Sequence, residues 1–267
     1  MTYKAILVQV DESRHGVARM LAAIRIAVRQ NAGLLGLVLM TVTGQEGVCR
    51  QLLMERAQRA LARFSRLCAE HGRKEFECHT TFANDDAGLL DHARGCDLLV
   101  LGRPDADEGP PGADAGLLKD ILLHSGRPVL LVPPDCPDEI GKRVLVAWQD
   151  TAQAARTVSL ALPLLRHAQA VRVVHPFGAN GKAPAYHGQG GLLRFLRHYG
   201  IEPSVATDED AAAGASFAEL VETQAERLHA DLVISGCQGH SRFRKSQVDD
   251  LTESLMFLPR TALLVAT

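Results

Sequence analysis

Ala5-Ile6-Leu7-Val8-Gln9-Val10-Asp11-Glu12-Ser13 and Arg143-Val144-Leu145-Val146-Ala147-Trp148-Gln149-Asp150-Thr151 are the two stretches that decide the fold. Each is an apolar strand that runs into a turn of small polar residues and then into a helical pattern. Two later pairs match in the same way. Cys96-Asp97-Leu98-Leu99-Val100-Leu101-Gly102 is answered by Ala230-Asp231-Leu232-Val233-Ile234-Ser235-Gly236, and Pro128-Val129-Leu130-Leu131-Val132 by Ala262-Leu263-Leu264-Val265-Ala266. Strand one is offset by 138 residues between the copies, strands four and five by 134. A repeat this long is a duplicated domain and not a solenoid unit. Each copy therefore checks the other, and a residue lost from one copy is visible in the chain itself.

The intervening pattern supplies the fold class. In the first half, Leu34 to Val42 is apolar but for Thr41, as a strand buried on both faces requires. Leu52, Leu53, Ala57, Ala60, Leu61, Phe64 and Leu67 recur at helical spacing over 45–71. Strands at 75–82, 97–102 and 128–132 alternate with helices near 85–94 and 114–124. The second half repeats this order with strands at 142–148, 170–175, 202–206, 231–236 and 261–266. Its helices are expected near 151–167, 189–199, 214–229 and 250–258, with Pro163 expected to kink the first. Alternating strand and helix predicts α/β domains, each a doubly wound five-stranded parallel sheet covered by helices on both faces. The expected bounds are residues 1–133 for the first domain and 142–267 for the second. Between them, 134–141 forms a linker opened by Pro134-Asp135-Cys136-Pro137, which continues neither strand nor helix.

Bulk composition narrows the function. The chain has 267 residues, enough for two domains that each bury a core. Aromatic residues are 4% and the net charge is −2, which argues against base-stacking surfaces and against general attraction to nucleic acid or anionic membrane. No apolar run approaches the ~20 residues of a membrane-spanning helix. Met1-Thr2-Tyr3-Lys4 runs straight into a strand, so no secretory signal and a cytoplasmic location are expected. The six cysteines have no paired spacing and read as reduced thiols. Cys68, His71, Cys78 and His79 cluster in sequence, but Cys78 and His79 point to opposite faces of a strand, so no metal site is expected there.

In an open parallel sheet, ligands bind beyond the carboxyl ends of the strands at the point where strand order reverses. The strand-one turns and strand-four loops are the places to look. The second half offers Gly236-Cys237-Gln238-Gly239 and then His240-Ser241-Arg242-Phe243-Arg244-Lys245. Two glycines let backbone N–H groups face an anion, and the basic residues supply countercharge. Cys237 is the leading candidate for a reactive thiol, on the expectation that this loop is exposed near Arg242 and Arg244. No nucleophile–base arrangement and no Walker-type phosphate loop is present in either half. His71, His92, His167, His198 and His229 fall near expected helix ends, where a partial positive charge suits the dipole.

The duplicated strand–helix order, the strand-one turn and the Gly236-x-x-Gly239 pattern resemble tandem universal stress proteins over essentially the whole chain. The resemblance implies the adenine nucleotide alpha hydrolase-like fold, and two halves that mimic within one chain the dimer formed through the last strand. It implies ATP bound by a strand-one aspartate beside the adenine, and by G-x-x-G, nine residues, then Gly-Ser or Gly-Thr on the phosphates. Carried onto this chain, the site residues are Asp11 and Ser13 in the first half. In the second they are Gln149, Thr151, Gly236, Gly239 and Ser241. Both sets depart from the pattern. Glu12 replaces a glycine, Asp105 replaces the second loop glycine, and Ala115-Gly116 stands at the Gly-Ser position. In the second half Gln149 replaces the aspartate and Asp249-Asp250 stands at Gly-Ser. Asp105, Asp107, Glu108 and Asp114 repel a phosphate, and Pro104, Pro110 and Pro111 remove N–H donors. Asp250-Leu251-Thr252-Glu253 reads as a capping box that occupies the helix N–H groups itself.

The expectation is a non-enzymatic, cytoplasmic stress-response protein that self-associates or binds a protein partner, with weak or absent ATP binding. No cofactor is fixed beyond ATP or another adenine nucleotide. The competing expectations are an ATP-binding stress protein using the second-half loop, and a nucleotide-dependent hydrolase on the same fold.

Overall fold

The structure is a computed structural model and describes residues 2–13, 15–40, 48–82, 86–103, 115–176, 187–206, 215–237, 250–256, 258 and 260–267. The chain divides into two units, Thr2–Asp138 and Glu139–Thr267.

The first unit runs β1 (Ala5–Gln9), α1 (Gly16–Gln30), β2 (Gly33–Met40), α2 (Val48–Glu70), β3 (Glu77–Phe82), α3 (Asp86–Arg94), β4 (Leu98–Gly102), α4 (Ala115–His124) and β5 (Val129–Val132). Its sheet has the order β3-β2-β1-β4-β5 and every pairing is parallel. The order reverses between β1 and β4, which pair Ile6 with Leu98 and Val8 with Val100. The strands are apolar because helices cover them. Ile6, Val8, Leu98, Val100, Val129 and Leu130 are fully buried. Gly36 sits in mid-strand because a side chain there would lie 2.5 Å from the ring of Phe64, which α2 lays directly on β2.

The second unit repeats this with β6 (Arg143–Ala147), α5 (Ala152–Leu165), β7 (Ala170–Val174), α6 (His187–His198), β8 (Ser204–Val205), α7 (Phe217–Leu228), β9 (Leu232–Gly236), α8 (Asp250–Leu255) and β10 (Ala262–Ala266). Its sheet order is β8-β7-β6-β9-β10, again parallel. Both units are therefore doubly wound, with the order 3-2-1-4-5 in each.

The copies share their fastenings as well as their order. Asp97, just before β4, accepts the backbone N–H groups of Lys4 at 2.7 Å and Ala5 at 3.1 Å. Asp231, its counterpart before β9, accepts from Gly141 at 2.6 Å, Lys142 at 3.0 Å and Arg143 at 2.8 Å. A carboxylate thus pins the start of the first strand to the fourth in each unit, through charge-assisted hydrogen bonds. Two helices end on a residue in the left-handed region, Asn31 after α1 at φ 51° and His229 after α7 at φ 50°; α5, the counterpart of α1, ends instead on Arg166 in the right-handed region.

Element bounds differ from expectation in two instructive places. The strand expected over 202–206 is only Ser204–Val205, at the edge of its sheet. Helix α5 runs through Pro163 to Leu165, with the proline in its last turn.

Candidate functional site

At the β1/β4 switch point of the first unit, a buried cation fills the place where strand order reverses. Arg19 lies on the core-facing stripe of α1 with Gly16, Met20, Ala23 and Ala27, and is only 5% exposed. Its Nε donates to the Gln9 carbonyl at 2.8 Å. Its Nη2 donates to Asp11 Oδ2 and forms an ion pair there. Its Nη1 lies against Gly102, where an added methyl group would stand 2.0 Å away. Gln9 completes the contact by accepting the Gly102 N–H at 3.3 Å. Only glycine at 102 admits the guanidinium to this position.

The other Asp11 oxygen is also occupied. Oδ1 accepts the Ser13 backbone N–H at 3.1 Å and the Ser13 hydroxyl at 2.6 Å. Ser13 Oγ in turn accepts the Gly16 N–H at 2.9 Å, which caps the start of α1. Gly16 must lack a side chain, because a methyl there would sit 2.3 Å from Asp11 Oδ1. Burial alone would raise the Asp11 carboxyl. The Arg19 guanidinium and the Ser13 hydrogen bonds outweigh that and hold it below the usual carboxylate range.

Glu12, next to Asp11 in the strand-one turn, is clamped from α2. Arg59 holds it with two bonds, at 2.6 and 3.1 Å, and Arg56 approaches to 3.4 Å. The strand-one turn is thus acidic in sequence but neutralised in place. At the strand-four end, burial draws Arg103 down to about 10, which still leaves it charged at neutral pH. Asp105, Asp107, Glu108, Asp114 and the prolines of that loop lie outside the described residues.

The second unit solves the same position differently. Thr157 stands where the first unit has Arg19, by the 138-residue offset. Its hydroxyl bonds the carbonyls of Gln153 at 2.7 Å and Ala266 at 3.1 Å, with no exposure. With no guanidinium to accommodate, α5 closes directly on β9. A methyl on Gly236 would lie 2.5 Å from the Ala154 nitrogen and 2.7 Å from its Cα. Gly236 is therefore required for helix–sheet packing, whatever else it does. Thr151 is the helix N-cap and accepts from Ala154 at 3.2 Å. Gln149 is half-buried, and its carbonyl accepts from Thr151 at 2.8 Å.

The structure thus brings Asp11, Ser13 and Gly102 together in one unit and Gln149, Thr151 and Gly236 beside the start of α5 in the other. Gly239, Ser241 and the basic loop lie outside the described residues. Cys237 corrects an expectation. It is fully buried, and its N–H donates to the Ala266 carbonyl at 2.9 Å, which extends the β9–β10 ladder by one residue. An accessible reactive thiol is excluded there. Arg19 is the residue that sequence reading missed. Its signal was an arginine on the apolar stripe of α1, in the first turn of the helix and eight residues beyond Asp11.

No family model matches the sequence, and no curated protein matches it. Solved structures do. The chain is similar to a universal stress protein from Archaeoglobus fulgidus DSM 4304, with 14% identity, 98% of each chain covered and a TM-score of 0.74. It is similar to a protein of unknown function from Pseudomonas aeruginosa PAO1, with 14% identity over 99% of this chain and 92% of that one, TM-score 0.62. It also matches the cytoplasmic domain of a prokaryotic cation chloride cotransporter, with 13% identity over 98% of this chain and 94% of that one, TM-score 0.50. The class defined is a fold: this chain has the adenine nucleotide alpha hydrolase-like fold of universal stress proteins, present twice. Among the described residues no helix is long and apolar enough to cross a membrane.

Proposed function

We propose that this chain is a tandem universal stress protein, acting in the cytoplasm as a binding or interaction module, that binds ATP weakly or not at all and catalyses no reaction. One observation carries the reading: in the first unit Asp11 is already engaged by Arg19 and Ser13, and Arg19 lies against Gly102. A carboxylate offers about four lone-pair sites. Three are taken here, so an adenine would have to compete with a buried ion pair. In the second unit, Gly236 is supported as a packing glycine and Gln149 brings no charge. If either half takes an adenine nucleotide, the second does, through Gln149, Thr151, Gly236, Gly239 and Ser241. The domain bounds proposed for these roles remain 1–133 and 142–267. Function is then expected to lie in self-association or in a protein partner.

Native mass spectrometry of the purified chain tests this. The expected spectrum shows protein without bound nucleotide. Stoichiometric co-purified ATP sinks the degenerate-site reading, and steady ATP turnover abolished by a substitution at Gly239 sinks the non-enzyme reading.

A further inference from the structure

We propose that His79 and His92 form a binding site for a borderline divalent transition metal ion, oriented by Glu77, that ties α3 to the edge strand β3. The site is separate from the switch point and does not depend on the nucleotide reading.

The geometry comes from three side chains on two elements. Glu77 and His79 are two residues apart on β3 and share one face of the strand. Both are exposed, since β3 is the edge of its sheet and pairs only with β2 among the described strands. His92 lies in the last turn of α3, the helix that follows β3 and packs beside it. The two imidazole rings stand 4.9 Å apart between centroids, with their planes at 78°. A metal ion binds an imidazole nitrogen at about 2.0–2.1 Å. The ring centroid then lies about 3.2 Å from the ion, so two imidazoles at a tetrahedral angle have centroids about 5 Å apart. The observed pair, in edge contact at 4.9 Å, lies within reach of that separation by rotation of the exposed His79 ring and the half-exposed His92 ring.

Glu77 supplies the second requirement. Its Oε2 is 3.4 Å from His79 Nε2. A carboxylate at Nε2 favours the tautomer protonated there and leaves the Nδ1 lone pair for a ligand, the arrangement that commonly orients metal-bound histidines. The α3 carboxyl end adds a partial negative charge beside His92. Arg94, two residues on, reaches the other way, to the His124 carbonyl at 3.4 Å. Cys78 is not part of the site, because it lies on the opposite face of β3. Among the described residues no three histidine, cysteine or carboxylate groups converge on one point, so water completes the coordination sphere. Two imidazoles with open positions suit Zn²⁺, Ni²⁺ or Cu²⁺, and Cu²⁺ is the tightest probe.

The test uses the full chain, titrated with NiCl₂ by calorimetry and with CuSO₄ by electron paramagnetic resonance. The expected result is one site per chain with two-nitrogen hyperfine structure, reversed by EDTA. His79→Ala and His92→Ala are each expected to remove it. Glu77→Gln is expected to weaken it about 10- to 100-fold. Cys78→Ser is expected to leave it intact. All four positions are at the surface or half-exposed, and circular dichroism of each variant confirms folding. Absence of a site in the parent chain overturns the proposal. So does affinity that survives either histidine substitution, or a signal that Cys78→Ser removes.

Discussion

Replacing Arg19 by threonine gives the first unit the residue that the second unit uses at the same position. The structure sets the size of the effect. The substitution removes the bond to the Gln9 carbonyl and the ion pair with Asp11, and it leaves a void against Gly102. Breaking a buried pair by removing one partner costs about 3–5 kcal/mol. The Asp11 side chain keeps 27% exposure, so water relieves part of that loss. The expected destabilisation is about 2–4 kcal/mol, local to the first unit. Trp148 is the only tryptophan and belongs to the second unit, so its fluorescence reports the wrong half. Amide hydrogen exchange at β1 and β4 reads the right one. Exchange there should accelerate by the equivalent of 2–4 kcal/mol while β6 and β9 stay within about 0.5 kcal/mol of the parent. The pH dependence follows in sign. Asp11 titrates below its ordinary value when folded, so its contribution is present above that ordinary value and is lost as pH falls through the folded one. In Arg19→Thr burial acts without its counter-ion, the carboxyl rises, and the variant loses less on acidification. Its deficit therefore narrows between pH 6 and pH 3. A deficit below about 1 kcal/mol, or one that widens in acid, refutes the role given to Arg19.

Gly236→Ala should cost about 2–4 kcal/mol in urea unfolding followed by Trp148 fluorescence, since the methyl meets the α5 backbone, which cannot rotate aside. Gly190→Ala in α6 meets nothing within 4 Å and should instead stabilise the second unit by about 0.5–1 kcal/mol. Asp231→Ala strips three backbone N–H groups of their acceptor and should cost about 2–4 kcal/mol, with Asp231→Asn recovering part of it.

Much of the architecture was readable because the chain is duplicated. Strand one and strand four gave the register of the repeat, and alternation of strand and helix gave the parallel sheet. What stayed hidden is what depends on contacts across elements. Arg19 breaks the apolar stripe of α1, and periodicity alone treats it as a blemish. Only the fold shows that the stripe faces Asp11 and Gly102. Gly16 and Asp11 explain each other, as do Ala154 and Gln149: the glycine is present where a carboxylate turns in over the helix start, and is replaced where it does not. Cys237 was misplaced because two nearby glycines suggested an open loop, whereas its N–H still belongs to the sheet. The edge strand β8 begins only at Ser204, after Pro203, which has no N–H to give to a ladder.

The central claim is that the fold was duplicated while neither copy keeps a complete ATP site. A thermal-shift titration of the full chain with Mg-ATP tests it most directly. Ligand that binds only the folded state stabilises it by about 2.7 kcal/mol at 100 times its Kd. At 1 mM ATP the account predicts a stabilisation below about 0.4 kcal/mol, the value for a Kd of about 1 mM. A saturable, dose-dependent rise in Tm corresponding to a Kd of about 10 μM would contradict it.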